Sequence, residues 1–271
     1  MAMIVQHNLR AMNSNRMLNV NSSTLGKSTE KLSSGYKINR AADDAAGLAM
    51  SEKMRRQVRG LTQASANAQD GVSMVQTAEG ALNEVHDMLQ RMNELAVKAS
   101  NGTLASEDRD YVDLEVQALK DEIDRVAKDT DFNGIKLLNG SQSKITIQVG
   151  LIASNTITIS LASVSCSGLK LSGDTQTQST AKKLIGSVET AIKNLNEKRA
   201  KLGAVQNRLE HTINNLDNVA ENTQAAESRI RDTDMATEMV KYANTNILAQ
   251  AGNAMLAQAN QSNQGVLSLL Q

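Results

Sequence analysis

The 271-residue chain has no proline and no tryptophan, one phenylalanine (Phe132), one cysteine (Cys166), and aromatics at only 1% of its residues. Each shortage excludes something. Without aromatic side chains to supply large buried areas, a compact globular core is a poor expectation, and without proline nothing breaks a long helix. A lone cysteine forbids a disulfide framework. Basic and acidic residues balance at 29 each, for a formal net charge of zero. With no lysine or arginine run, nucleic acid is not expected as a partner, and no net repulsion opposes self-association. No stretch approaches the roughly 18 consecutive apolar residues of a membrane span, so no membrane insertion is expected. Met1 to Leu9 carries no basic segment followed by an apolar one. That argues against an ordinary secretory signal and points to the cytoplasm, unless export takes another route.

What is present favours helix: alanine, leucine, glutamine, lysine, glutamate and methionine dominate. From Leu184 to Ile230 a residue falls at every third then fourth position in strict alternation. The set is Leu184, Val188, Ala191, Leu195, Lys198, Leu202, Val205, Leu209, Thr212, Leu216, Val219, Thr223, Ala226 and Ile230, and eleven of the fourteen are apolar. At the chain-wide apolar frequency of 40%, chance would fill roughly six, so this is a coiled-coil seam. At about 1.5 Å per residue it predicts a helix roughly 70 Å long, a rod rather than the wall of a pocket.

The alternation recurs at Val75, Ala78, Leu82, Val85, Leu89, Met92, Ala96 and Ala99, and stops at Asn101-Gly102. A further seam follows at Val112, Val116, Leu119, Ile123 and Val126, with Ser106 as the expected N-cap. The two rods and their short loop predict an antiparallel hairpin. The period then changes to two. Ile145, Ile147 and Val149, then Ile157, Ile159 and Leu161, read as paired strands, preceded by turn signals at Asn133-Gly134 and Asn139-Gly140. Ser172 to Thr180 reads as an exposed polar loop. The fold class expected is mainly α: a long antiparallel coiled-coil bundle with a small β-hairpin region and paired terminal helices.

The ends differ from the middle. After Lys241 no charged side chain remains, while Ile247, Leu248, Ala251, Met255, Leu256 and Ala259 recur on one helical face. The first thirty residues carry Ile4, Leu9, Met12, Leu18 and Leu25 among asparagines and serines. Burying a full-sized apolar side chain stabilises by roughly 1.5–3 kcal/mol, whereas ordering each residue costs about 1–2 kcal/mol. The ends are therefore expected to order only against each other and against neighbouring copies.

Candidate chemistry is sparse. His7, His86 and His211 lie far apart in sequence with no His-Glu-x-x-His pattern, so neither catalysis nor a metal nor any cofactor is expected. Cys166 reads as a small half-buried side chain. Asn101-Gly102-Thr103 and Asn139-Gly140-Ser141 match the glycosylation acceptor pattern, but turns account for both.

Longer blocks carry a resemblance. Ser33-Ser34-Gly35-Tyr36-Lys37-Ile38-Asn39-Arg40-Ala41-Ala42-Asp43-Asp44-Ala45-Ala46-Gly47-Leu48-Ala49 resembles the amino-terminal signature of bacterial flagellins. Thr130 to Gly134, Leu202 to Leu209, Ser228 to Ala236, Ala259-Asn260-Gln261 and Val266 to Leu270 resemble further family blocks in the same order. Two departures stand out: Ser262-Asn263-Gln264 replaces a region where the family often has proline, and there is no room for outer variable domains.

The resemblance implies an inner domain of paired helices from residues 1–40 and 235–271, forming the filament core. A spoke at 41–47 would follow, then a rod at 48–234 with its β-hairpin region at about 133–175. Asn39, Arg40, Ala41, Ala42, Asp43, Asp44 and Gly47 would pack the spoke. Arg91, Leu95 and Glu115 match the surface read by the host Toll-like receptor for flagellin, and all three are expected to be accessible. Leu248, Met255, Leu256, Val266, Leu267, Leu269 and Leu270 would serve the core, an export chaperone or cytosolic immune sensors. The resemblance further implies a structural, non-enzymatic subunit that leaves the cell through the flagellar type III export apparatus and meets filament cap and junction proteins outside. A hook–filament junction protein and a soluble helical-bundle adaptor are the alternatives.

Overall fold

The computed structural model describes residues 8–268, with side chains described as far as Ser262. Among the described residues five helices and four short strands follow one another: α1 (Leu9–Ser34), α2 (Ala45–Ala99), α3 (Ser106–Asp129), β1 (Asp131–Phe132), β2 (Ile135–Lys136), β3 (Lys144–Gln148), β4 (Thr156–Ser160), α4 (Gln178–Arg231) and α5 (Met235–Ser268). The chain divides into two compact units. One carries both ends, up to Arg56 and from Asn222, and the other comprises Gln57–Glu221.

In the 57–221 unit the seams become the core. Every position from Val75 to Ala99 in the α2 seam is buried. On α4, Leu184, Val188, Ala191, Leu195, Leu202, Leu209 and Leu216 are buried, and α3 adds Val112, Val116 and Ile123. Cross-contacts fix the direction: Ser65 donates to Asp217 at 2.8 Å and Glu79 lies 3.7 Å from Arg199. Numbers rising on α2 meet numbers falling on α4, which is antiparallel packing. Beyond Leu216 the α4 seam loses cover, and Val219 is 44% exposed.

The α2 seam also runs back past its expected start, through Leu61, Ala64, Ala68 and Gly71, all buried. A Cβ on Gly71 would lie 3.3 Å from Leu209 and 3.4 Å from Ile147, so their side chains fill the space that an apolar residue would otherwise occupy.

The helix ends have identifiable causes. Arg109 donates to the carbonyls of Ala99 and Asn101 at 3.1 and 3.0 Å, satisfying the end of α2. At the start of α3 the cap is Ala105, not Ser106. The Asp108 carboxylate accepts the Ala105 N–H at 3.3 Å, so an acidic side chain three residues downstream satisfies the cap residue's own donor. Thr177 and Thr180 cap α4 reciprocally, each hydroxyl accepting the other's backbone N–H.

β3 and β4 pair antiparallel with Ile145 opposite Ile159 and Ile147 opposite Ile157. β1 and β2 form a smaller hairpin about Asn133-Gly134, whose φ values of 50° and 79° are those of a type I′ turn. The segment before α4 is less open than its polarity implies. Thr175 is fully buried, with its N–H and hydroxyl both donating to Asp113, because a paired threonine can be buried where an unpaired one could not.

Candidate functional site: an outward apolar face and its joint

In the unit carrying the ends, α1 and α5 lie antiparallel: Asn8 donates to the Ala259 carbonyl at 3.0 Å, and Ser28 to Glu238 at 2.6 Å. That hydroxyl is the leading cause of a Glu238 pKa below its ordinary value. Asn8 caps α1 by accepting the Ala11 N–H, and Gly35 ends it in the left-handed conformation at φ 75°.

The pair meets through small residues. The covered stripe of α5 is Tyr242, Thr245, Ala249, Gly252, Leu256 and Ala259, and opposite it Ala11, Ser14, Leu18, Asn21 and Ser28 are covered. Glycine and alanine let the backbones approach, and a Cβ on Gly252 would touch Leu18 at 3.4 Å. The larger apolar groups face outward. Leu9, Met12, Met17 and Val20 on α1, and Met239, Val240, Ile247, Leu248 and Met255 on α5, are each 51–65% exposed. Among the described residues of this pair only Ser28 and Thr245 are buried. The helix face expected at 247–259 is therefore split: Leu256 and Ala259 turn inward, while Ile247, Leu248 and Met255 turn out. The side chains of Val266 and Leu267, which follow Ser262, lie outside the described set, and Leu269, Leu270 and His7 lie outside the described residues altogether.

A compact joint links α1 to α2 and returns at the end of α4. Tyr36 bridges Asp232, the Lys37 N–H donates to the Arg231 carbonyl at 2.7 Å, and the Thr233 N–H donates to Gly35 at 2.9 Å. The Arg231 guanidinium sits 4.5 Å from the Tyr36 ring centre and pairs with Glu52 at 2.9 Å. Sequence patterns did not single out this knot, because its members are up to about two hundred positions apart.

Every expected spoke residue falls in or beside the joint. Asp43 accepts the N–H groups of Arg40 and Asn39, which hold its carboxyl below the usual range. Asn39 also donates to Tyr36, and Arg40 pairs with Glu30. Asp44 caps α2 through the Gly47 N–H at 2.9 Å. Ala41 and Ala42 are exposed, whereas Gly47 is buried against its own chain. A Cβ on Gly47 would come within 2.5 Å of Asp44 and 2.7 Å of Ile38, itself 3% exposed. Gly47→Val should therefore cost about 1–3 kcal/mol by overpacking. The check is amide exchange, which should accelerate from Leu48 to Ser51; unchanged protection there would contradict this reading.

On the other unit, Arg91 pairs with Glu115 at 2.9 Å and with Glu94 at 3.1 Å, all three exposed. Glu115 is the first cause of a raised Arg91 pKa, ahead of Glu94. Leu95 does not join them. It is 3% exposed and belongs to the main core, which corrects the expectation that it is accessible. The physical reason is that α2 is covered by both α3 and α4, so the buried stripe is wider than one seam and takes in positions beside it, Met74 and Leu95 among them. Among the described residues, no three histidine, cysteine, aspartate or glutamate side chains gather as metal ligands, and no helix is long and apolar enough to cross a membrane.

Comparison with known proteins decides the family. The model of the bacterial flagellin N-terminal helical region matches residues 5–143, and that of the C-terminal helical region matches 185–270. The chain is a bacterial flagellin. It is 52% identical to the flagellin of Halalkalibacterium halodurans, across 99% of this chain and all of that one. The flagellin of Bacillus subtilis is 46% identical, also over 99% of this chain and its own full length. Among solved structures, the crystal structure of Bacillus cereus flagellin is similar at 35% identity and a TM-score of 0.52, covering 56% of this chain and 88% of that one. Flagellin is a family of structural proteins, not enzymes, and at 271 residues this is a short member.

Proposed function

We propose that this flagellin is the structural subunit of a bacterial flagellar filament used for swimming, and that α1 and α5 supply the filament's inner cohesion. The observation that carries the reading is the outward set of large apolar side chains on the terminal pair. A lone subunit leaves them in water, and a polymer would bury them against identical copies. Contacts between unlike faces that do not close on themselves generate an open helical array. No feature of the chain favours a junction protein or an adaptor. Electron microscopy of heat-dissociated, then cooled, protein tests it: long filaments are expected, and a fixed small oligomer would refute the reading.

The finer parts of the proposal follow from the family. Residues 1–40 and 235–271 form the core domain, 41–47 the spoke and 48–234 the rod. The subunit leaves the cell unfolded through the type III export apparatus, accompanied by a chaperone on its carboxy-terminal segment. It then assembles outside between junction and cap proteins. The exposed pair Arg91 and Glu115 serves contacts between copies and recognition by the host Toll-like receptor for flagellin, while Leu95 contributes by holding α2 in place. Arg91→Ala should weaken binding of the dissociated subunit to that receptor by about tenfold or more. Unchanged affinity in a surface-binding assay would remove this role.

A further inference from the structure

A cavity of about 210 Å³ opens beside α4 in the 57–221 unit, and none of its lining residues figures in the assembly surfaces above. Its floor is apolar, made by Leu82, Leu138, Leu161 and Leu202, each at most 6% exposed. Asn194 and Lys198 also line it, four residues apart on α4 and so on one face of the helix.

Lys198 is the one charged position in the α4 seam, and a charge there needs a reason. Its ammonium is half-buried and donates to the Ser163 carbonyl. Among the described residues no carboxylate lies within ion-pair distance of it: the adjacent Glu197, which with Lys201 also lines the cavity and acts on Lys198 only through its charge, is taken by Lys201 at 2.7 Å. An ammonium partly removed from water without a counter-charge is costly, and burial is the leading influence on the Lys198 pKa, which it lowers. An apolar cavity of about 150 Å³ accommodates benzene, so the space here suits an alkyl chain of several carbons.

The geometry points to a binding site for an amphipathic monocarboxylate, with its alkyl tail on the leucine floor and its carboxylate between Lys198 and Asn194. The anion supplies the missing counter-charge, and the tail replaces water over the leucines. If instead the cavity were a packing imperfection and Lys198 merely a cap for Ser163, occupancy would depend on the tail alone.

Octanoate and octylammonium, which share a tail and differ in the sign of the head group, separate the two. Each is titrated calorimetrically, below its micellar concentration, into the full-length chain held as dissociated subunit. Octanoate should saturate one site with a Kd of about 0.1–1 mM, and octylammonium should bind at least about tenfold more weakly. Lys198→Met should weaken octanoate by about tenfold, while Lys182→Met, at an exposed lysine of α4 outside the cavity lining, should change it by less than about threefold. Equal affinity for the two head groups, absence of saturation by octanoate, or a Lys198→Met change within about twofold would each overturn the proposal. The head-group comparison uses the unaltered chain, so the test stands even if a variant fails to fold.

Discussion

Replacing Ile247 and Leu248 together by aspartate is expected to abolish filament growth while leaving the dissociated subunit's helix content and melting unchanged. The two side chains are 64% and 54% exposed, so the subunit itself gains little from them. In a filament they would be buried. Losing two full-sized apolar groups from an interface removes roughly 3 kcal/mol or more, and placing two unpaired carboxylates there adds a desolvation cost of several kcal/mol per ion. Since about 1.4 kcal/mol is tenfold in an equilibrium constant, the critical concentration should rise by more than about a hundredfold. Sedimentation of reassembled material measures it. Filaments forming at the normal concentration would show that this face is not part of the polymer's interior. Ile247→Asn with Leu248→Asn should fall between, because the apolar term is lost without the charge penalty.

The choice of those two residues depends on the structure, not on periodicity. The sequence displays the charge-free end after Lys241 and the recurrence of apolar residues there, but it groups Ile247 with Leu256 and Ala259 as one buried face. Both arrangements satisfy a helical period. What decides between them is backbone separation: a stripe of Thr245, Ala249, Gly252 and Ala259 permits close approach, leaving room inside for Leu256 while Ile247, Leu248 and Met255 stay outside. In the 57–221 unit the reverse holds. There Val75, Leu82, Val85, Leu89 and Met92 alternate with Ala78, Ala96 and Ala99, and other helices cover large and small positions alike, so seam and burial coincide over Val75 to Ala99. The Asn133-Gly134 turn and the two isoleucine-bearing strands were equally legible, because turn residues and period-two alternation are properties of a few adjacent residues.

Misreadings arise where one position answers to two neighbours. Gly71 hides the start of the α2 seam because Leu209 and Ile147 fill its place. Leu95 looks peripheral to a single seam, yet a second packed helix covers it. Thr175 reads as loop polarity until Asp113 is found opposite. The joint around Tyr36, Glu52 and Arg231 could have been suspected only from the scarcity of tyrosine, since nothing local announces an arginine stacked on a ring. Long-range pairing, not local propensity, is the common element in all four.

Cys166 should be alkylated by iodoacetamide about a thousandfold more slowly in the folded chain than in denaturant at pH 8. Its pKa is pushed from 9.0 to about 12, chiefly by burial, then by the charge of Asp124 and by hydrogen bonding to it. The thiol donates to the Lys120 carbonyl at 3.4 Å, and the Cys166 N–H donates to Asp124 at 2.7 Å. Only the thiolate reacts, and a shift of about three units lowers its fraction at pH 8 by a factor of about 10³. The sign for stability follows. The folded state keeps its proton where the unfolded state has released it, so this thiol's contribution is fully present below about pH 9 and is lost as pH rises from 9 towards 12. Cys166→Ala should therefore flatten the alkaline limb of a stability-versus-pH curve without altering its slope near neutrality. Folded-state alkylation within about tenfold of the denatured rate would mean that the thiol is open to solvent and that Asp124 does not suppress its ionisation.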